Sequence, residues 1–165
     1  MDNLKLTIEL VPQTCWFSNL RKVLTQSEWD KVRKYTYKLS EDHSCMICGT
    51  KEGKLNAHEI WEYDEENHIQ KLIGLIALCD DCHMVKHIGF AQLNGRYVDA
   101  LLKFCEVNKC DRIQFHKALG IARKQHYRRS KITDWKLDIS YLKKIGFEDI
   151  YNKYKDSYKE NILNG

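Results

Sequence analysis

The chain has 165 residues, of which 43% are apolar and 30% charged, and carries a formal net charge of +4. This is the make-up of a soluble globular protein of one domain, or of a small metal-centred module with extensions. No apolar run reaches membrane-spanning length, which excludes a membrane partner, and the mild basicity permits a nucleic-acid partner without requiring one. Met1-Asp2-Asn3-Leu4 is not a basic region leading into an apolar stretch, so no secretory signal is read and the expected location is cytoplasmic.

In chain order, Leu4 to Val11 alternates apolar and polar residues and predicts a strand that Pro12 ends. Cys15-Trp16-Phe17 reads as an apolar plug for the core. Thr25-Gln26-Ser27-Glu28 is a capping box, and the helix it opens runs to about Leu39 with Trp29, Val32, Tyr35-Thr36 and Leu39 inward. Cys45 to Gly49 forms a knuckle. Leu55 to Tyr63 and Ile69 to Leu78 are two strands joined by the polar turn Asp64-Glu65-Glu66-Asn67. A helix starts at Cys79, favoured by Asp80 and Asp81 in its first turn, and Gly89 ends it. Two further helices span Gly95 to Asn108, with Val98, Leu101, Leu102 and Cys105 on one face, and Asp111 to Arg129, with Ile113, Phe115, Leu119 and Ala122 inward. Trp135 to Ile139 predicts a short strand, and Ser140 to Tyr158 a helix broken at Gly146 before a frayed end.

The cysteines carry the first chemical signal. Cys45-Met-Ile-Cys48 and Cys79-Asp-Asp-Cys82 are two knuckle pairs, the ligand set of a tetrahedral structural zinc. A disulfide framework would favour an even count and an export signal, whereas this chain has seven cysteines. Cys15, Cys105 and Cys110 are then small buried hydrophobes. Zinc leaves His58, Glu59, His83 and His87 unexplained in the same segment. His83 and His87 are four apart, on one helix face, and His58 lies in the first strand of the hairpin. Three imidazoles suit a second divalent ion, whether Mg2+, Mn2+, Ni2+ or Zn2+. His43, His68, His116 and His126 form no such pattern. Adjacency of His58 and Glu59 excludes the His-x-Glu of zinc deaminases, and Glu59-Ile60-Trp61-Glu62 excludes a His-Glu-x-x-His zincin.

Cys45-x-x-Cys48, Ala57-His58-Glu59-Ile60 and Leu78-Cys79-x-x-Cys82-His83-x-x-Lys86-His87 together resemble the HNH endonuclease superfamily, the ββα-metal nucleases, in its zinc-stapled branch. The resemblance covers residues 43–89. It implies an α+β fold: a treble-clef zinc module of knuckle, β-hairpin and helix embedded in a mostly helical small domain. Residues 1–42 would be an N-terminal strand-and-helix extension, and 90–165 a helical C-terminal extension packed on the module. It implies phosphodiester hydrolysis in nucleic acid, with His58, His83 and His87 holding the catalytic metal and Glu59, His58 and His83 as the catalytic set. A phage or mobile-element origin is the expectation. Two positions depart from the family pattern. Glu59 stands where the family usually has a histidine base, and Gly74 stands at or near its structural asparagine.

Arg123-Lys124-Gln125-His126-Tyr127-Arg128-Arg129-Ser130-Lys131 is the densest basic run. Arg123, Lys124, Arg128, Arg129 and Lys131 are its candidate phosphate contacts, with Tyr127 interleaved for stacking. Arg21, Lys31, Arg33 and Lys34 form a weaker group. The rival reading is a catalytically inactive zinc module that binds nucleic acid, a protein or a nucleotide, in defence or counter-defence. Either version leaves a protein partner or homo-oligomer open.

Overall fold

The computed structural model describes residues 4–156. Among them the fold is mixed α+β, with a three-stranded sheet and eight α-helices. β1 (Leu55–Asp64) and β2 (Ile69–Cys79) form an antiparallel hairpin in which Leu55 faces Cys79 and Asp64 faces Ile69. A bulge between Ile60 and Trp61 shifts the register by one residue. The turn is closed by Asp64 Oδ1, which accepts from the backbone N–H groups of Glu66 and Asn67 at 3.0 and 2.9 Å. β3 (Lys136–Asp138) adds to β2 in parallel, so β1 is left as an edge strand.

Leu4–Val11 does not form the expected strand. Its backbone finds other partners. The Leu6 N–H donates to Asn108 Oδ1 at 3.0 Å, Asn108 Nδ2 donates to the Leu6 carbonyl at 2.8 Å, and the Glu9 N–H donates to the Lys86 carbonyl at 3.2 Å. One asparagine side chain thus offers Leu6 the donor and acceptor that a neighbouring strand would offer. In the next segment only Cys15 is buried. Trp16 and Phe17 are 56% and 77% exposed, so the plug is the cysteine alone.

α1 (Leu20–Val23) is an additional turn of helix, capped by Asn19. α2 (Gln26–Lys38) starts on the expected Thr25–Glu28 capping box and buries Trp29, Val32 and Thr36, whereas Leu39 is exposed. α3 (Asp80–Lys86) and α4 (Ile88–Leu93) are separated at His87 (φ −103°, ψ 49°), so the expected stop at Gly89 falls inside a second helix. α5 (Tyr97–Asn108) buries Ala100, Leu101 and Phe104 and leaves Val98 and Leu102 exposed, a face rotated from the expected one. α6 (Arg112–Arg129) turns Phe115, Leu119 and Ala122 inward as expected, but Ile113 outward. α7 (Tyr141–Lys144) and α8 (Glu148–Tyr154) flank Gly146, whose φ of +89° breaks the helix. The expected helix end at Tyr158 and the frayed terminus lie outside the described residues. No helix among those described is long and apolar enough to cross a membrane.

Two apolar clusters occupy the interior. One joins Leu6 to the cysteine pairs and to α3, α4, α5 and α6. The other joins α1, α2, α7 and α8 to the sheet through Leu72 and Leu75. Both flanks of the metal-ligand segment therefore contribute to the interior. Strand alternation separates His58 from Glu59: Ala57 and Trp61, which share Glu59's face, pack on the α1–α2 cluster, whereas His58 meets α3.

Candidate metal centres

The first centre starts with a local turn. The Gly49 N–H donates to the Cys45 carbonyl and the Cys45 N–H to the Thr50 carbonyl, both at 2.8 Å. Gly49 has a φ of +79°, a left-handed conformation natural to glycine, and it folds Cys45 and Cys48 into a knuckle. The Met46 N–H donates to the Ala77 carbonyl at 3.0 Å and ties the knuckle to β2. Cys79 ends β2 and starts α3, and Cys82 lies in the first turn. The four sulfurs lie within 4.8 Å of one another. Cys48 Sγ and Cys79 Sγ are 3.7 Å apart, far beyond a disulfide bond. Four sulfurs about 2.3 Å from one tetrahedral ion would stand about 3.8 Å apart, so the donor set fits zinc.

The thiols are in electrostatic conflict as they stand. A hydrogen bond from Cys82 draws the Cys45 thiol down, while burial pushes Cys79 up and the bond to Cys45 raises Cys82. A divalent cation resolves this conflict by favouring all four thiolates. Of the remaining cysteines, Cys15 is buried as expected, whereas Cys105 and Cys110 are half-buried.

The second centre is assembled from two elements. β1 supplies His58, which is 5% exposed, and α3 supplies His83 and, at its C-cap, His87. The His87 N–H donates to the His83 carbonyl at 3.1 Å, holding both rings on one face. Ring centroids are 5.4 Å apart for His58 and His83, 5.0 Å for His58 and His87, and 4.6 Å for His83 and His87. One ring nitrogen from each lies within 4.8 Å of the others. Burial lowers His83 to about 4 and His87 to about 3, which keeps both imidazoles neutral at pH 7, the form a metal needs.

Glu9 is a member of this site that sequence reasoning missed. Its Oε2 is 2.9 Å from His58 Nε2, and its Oε1 pairs with Lys86 Nζ, a buried ammonium that also donates to Thr7 Oγ1 at 2.8 Å. Burial pushes the Glu9 carboxyl up, but the bond to His58 and the charge of Lys86 outweigh it and bring the group to about 2. A carboxylate behind a histidine fixes its tautomer and ring orientation. No periodic signal marks Glu9, because the contact spans 49 residues to His58 and 77 to Lys86.

Glu59 is held differently. Its Oε1 accepts from the Leu20 N–H at 3.0 Å and its Oε2 from Trp61 Nε1 at 2.9 Å. Burial raises its carboxyl to about 7 despite these bonds. It points to the α1–α2 side of β1, yet it borders the same cavity of about 300 Å³ that His58, His83 and His87 line along the strand's free edge.

α6 runs along that cavity, with Ala122, Gln125 and Arg129 in its wall. The basic run on this helix is only partly available to a polyanion. Arg128 and Arg129 both pair with Glu65 of the hairpin turn, at 2.5 and 2.9 Å, whereas Arg123 and Lys124 are exposed and form no ion pair among the described residues. Lys131 Nζ lies 4.2 Å from the centre of the Tyr127 ring. No protein-family profile, curated protein or solved structure matches this chain.

Proposed function

We propose that this chain is an HNH-like, metal-dependent phosphodiester hydrolase acting on nucleic acid, with Cys45, Cys48, Cys79 and Cys82 holding a structural zinc in a treble-clef frame. The observation that carries the reading is the convergence of His58, His83 and His87 from a hairpin strand and the helix after it, directly beside the four-cysteine cluster. A divalent ion on these imidazoles would bind the scissile phosphate and stabilise the leaving oxygen. The chain's own part is to keep His83 and His87 neutral, which burial favours, and to aim the His58 ring, which the Glu9 carboxylate favours. Glu59 is the proposed base. A carboxyl near 7 suits proton abstraction at neutral pH.

Incubation of supercoiled plasmid and single-stranded DNA and RNA with the zinc-loaded protein, in magnesium, manganese, nickel or zinc, tests the proposal. Wild type should cleave at least one substrate with at least one metal, and His83→Ala should not. The alternative is an inactive zinc module that retains nucleic-acid binding. It is favoured by the engagement of both Glu59 oxygens on the far side of β1. Under that reading wild type cuts nothing with any metal but still binds.

A further inference from the structure

The cavity beside the three histidines has a second wall that the metal chemistry does not use. Trp29, Trp61, Tyr63 and Gln70 line it, with the exposed Arg21 at its rim. Tyr63 and Gln70 sit directly opposite each other on β1 and β2, so their side chains share one face of the sheet. Gln70 is 1% exposed. Its Nε2 donates to the Ser18 carbonyl at 3.1 Å, which fixes the amide so that Oε1 is the free end. Gln70 Oε1 and the Tyr63 hydroxyl are both buried without a hydrogen-bond partner. Such atoms are normally satisfied, and two on residues that line one cavity offer a donor and an acceptor to a ligand.

We propose that this cavity is a nucleobase pocket, and that the substrate places one base against Tyr63 and Gln70 while its phosphate lies at the three histidines. The proposal rests on the phosphodiesterase reading for the phosphate end only. A base edge offers an acceptor beside a donor, matching the Tyr63 hydroxyl and the Gln70 carbonyl. Trp29 and Trp61 in the lining supply aromatic surface on which a base can stack. The volume of about 300 Å³ is at the small end of ligand sites, suited to one base and not to a duplex. Arg21 forms no ion pair among the described residues and is placed to meet a sugar-phosphate at the rim. The base belongs either to a strand from which it is extruded, as in enzymes that take a base out of the stack, or to a free nucleotide.

Tryptophan fluorescence of the zinc-loaded full chain with manganese is the readout, since Trp29 and Trp61 line the cavity. The probes are the nucleoside 5′-monophosphates, ribose 5-phosphate as the base-less control, and a short single-stranded oligonucleotide carrying or lacking one base. Base-bearing probes should bind on the order of tenfold or more tighter than base-less ones. Tyr63→Phe should reduce that preference about fivefold while leaving the melting temperature unchanged or higher, because the hydroxyl has no partner to lose. Gln70→Leu should reduce it similarly. Equal binding of base-bearing and base-less probes, or an unchanged preference in Tyr63→Phe, overturns the proposal and leaves a water-filled structural cavity. If ribose 5-phosphate binds in a His83-dependent way and the base adds nothing, the pocket fails and the metal reading stands. If the base preference depends on Tyr63 but no probe depends on His83, the pocket stands and the metal reading fails. Binding of the oligonucleotide alone identifies an extruded base, and binding of mononucleotides alone a free nucleotide; either result supports the pocket.

Discussion

Replacing Glu9 by glutamine tests the clamp behind His58. The Lys86 side chain is 7% exposed, and its ammonium is held by Glu9 Oε1 and Thr7 Oγ1. Without the carboxylate it keeps neutral partners only. Removing one member of a buried ion pair costs about 3–5 kcal/mol. Glu9 is 34% exposed, so solvent screening, together with the amide oxygen that glutamine retains, brings the expected loss to about 2 kcal/mol. Urea unfolding of the zinc-loaded protein at pH 7 should therefore show a midpoint lower by about 1 M, taking a slope of about 2 kcal/mol/M. The Glu9 carboxyl is depressed from 4.5 to about 2. Its contribution is thus complete above 4.5 and lost as pH falls through 2, so the difference between wild type and variant is fully present at pH 7. Lys86→Met removes the other partner, and the double variant should lose at least about 1 kcal/mol less than the sum of the singles. A midpoint unchanged in Glu9→Gln, or additive losses in the double variant, would refute the clamp.

Cys45→Ser should lose stoichiometric zinc and cooperative unfolding, because binding of a structural zinc is folding free energy; full zinc retention by elemental analysis would exclude the four-cysteine site. Glu59→Gln should become more stable relative to wild type as pH rises from about 5 to 8 without added divalent metal. The Glu59 carboxyl is raised from 4.5 to about 7, so the stability of its neutral form is present below 4.5 and lost as pH passes 7, by an amount on the order of 3 kcal/mol. A pH-independent difference in unfolding midpoint would contradict this. Arg123→Gln with Lys124→Gln should flatten the salt dependence of oligonucleotide binding by about 1.4 in log–log slope for a single strand. Arg128→Gln with Arg129→Gln should flatten it less, because Glu65 already neutralises part of that charge; equal slopes for the two doubles would show that Glu65 releases them.

The features legible in the sequence are those whose partners are close in the chain. Each cysteine pair spans four residues, the first in a knuckle and the second at the start of α3, His83 and His87 are one helical turn apart, and Thr25 and Glu28 cap their own helix. The hairpin was legible because its turn residues separate two apolar runs, and it brings His58 to α3 without further help. The missed features depend on distant partners. Leu4–Val11 has a strand's alternation, but Asn108 and Lys86 take its backbone groups and no strand comes alongside. Arg128 and Arg129 read as free cations because their counter-ion, Glu65, lies 63 and 64 residues away in the hairpin turn. Gly89 reads as a helix stop, yet the break comes two residues earlier at His87, and α4 carries Gly89 inside it. Tyr63 and Gln70 carry no motif at all; the pairing of β1 with β2 sets them opposite each other on one face of the sheet.

The proposed second metal centre on His58, His83 and His87 is distinct from the four-cysteine cluster. Titration of the zinc-loaded protein with cobalt(II), followed by visible absorption and by elemental analysis of both metals, decides whether it exists. The protein should bind one cobalt per chain in addition to one zinc, with absorption typical of nitrogen and oxygen ligands and without thiolate charge transfer, and His83→Ala should lose the cobalt alone. Saturation with zinc intact and no bound cobalt, or cobalt binding unchanged in His83→Ala, would contradict it.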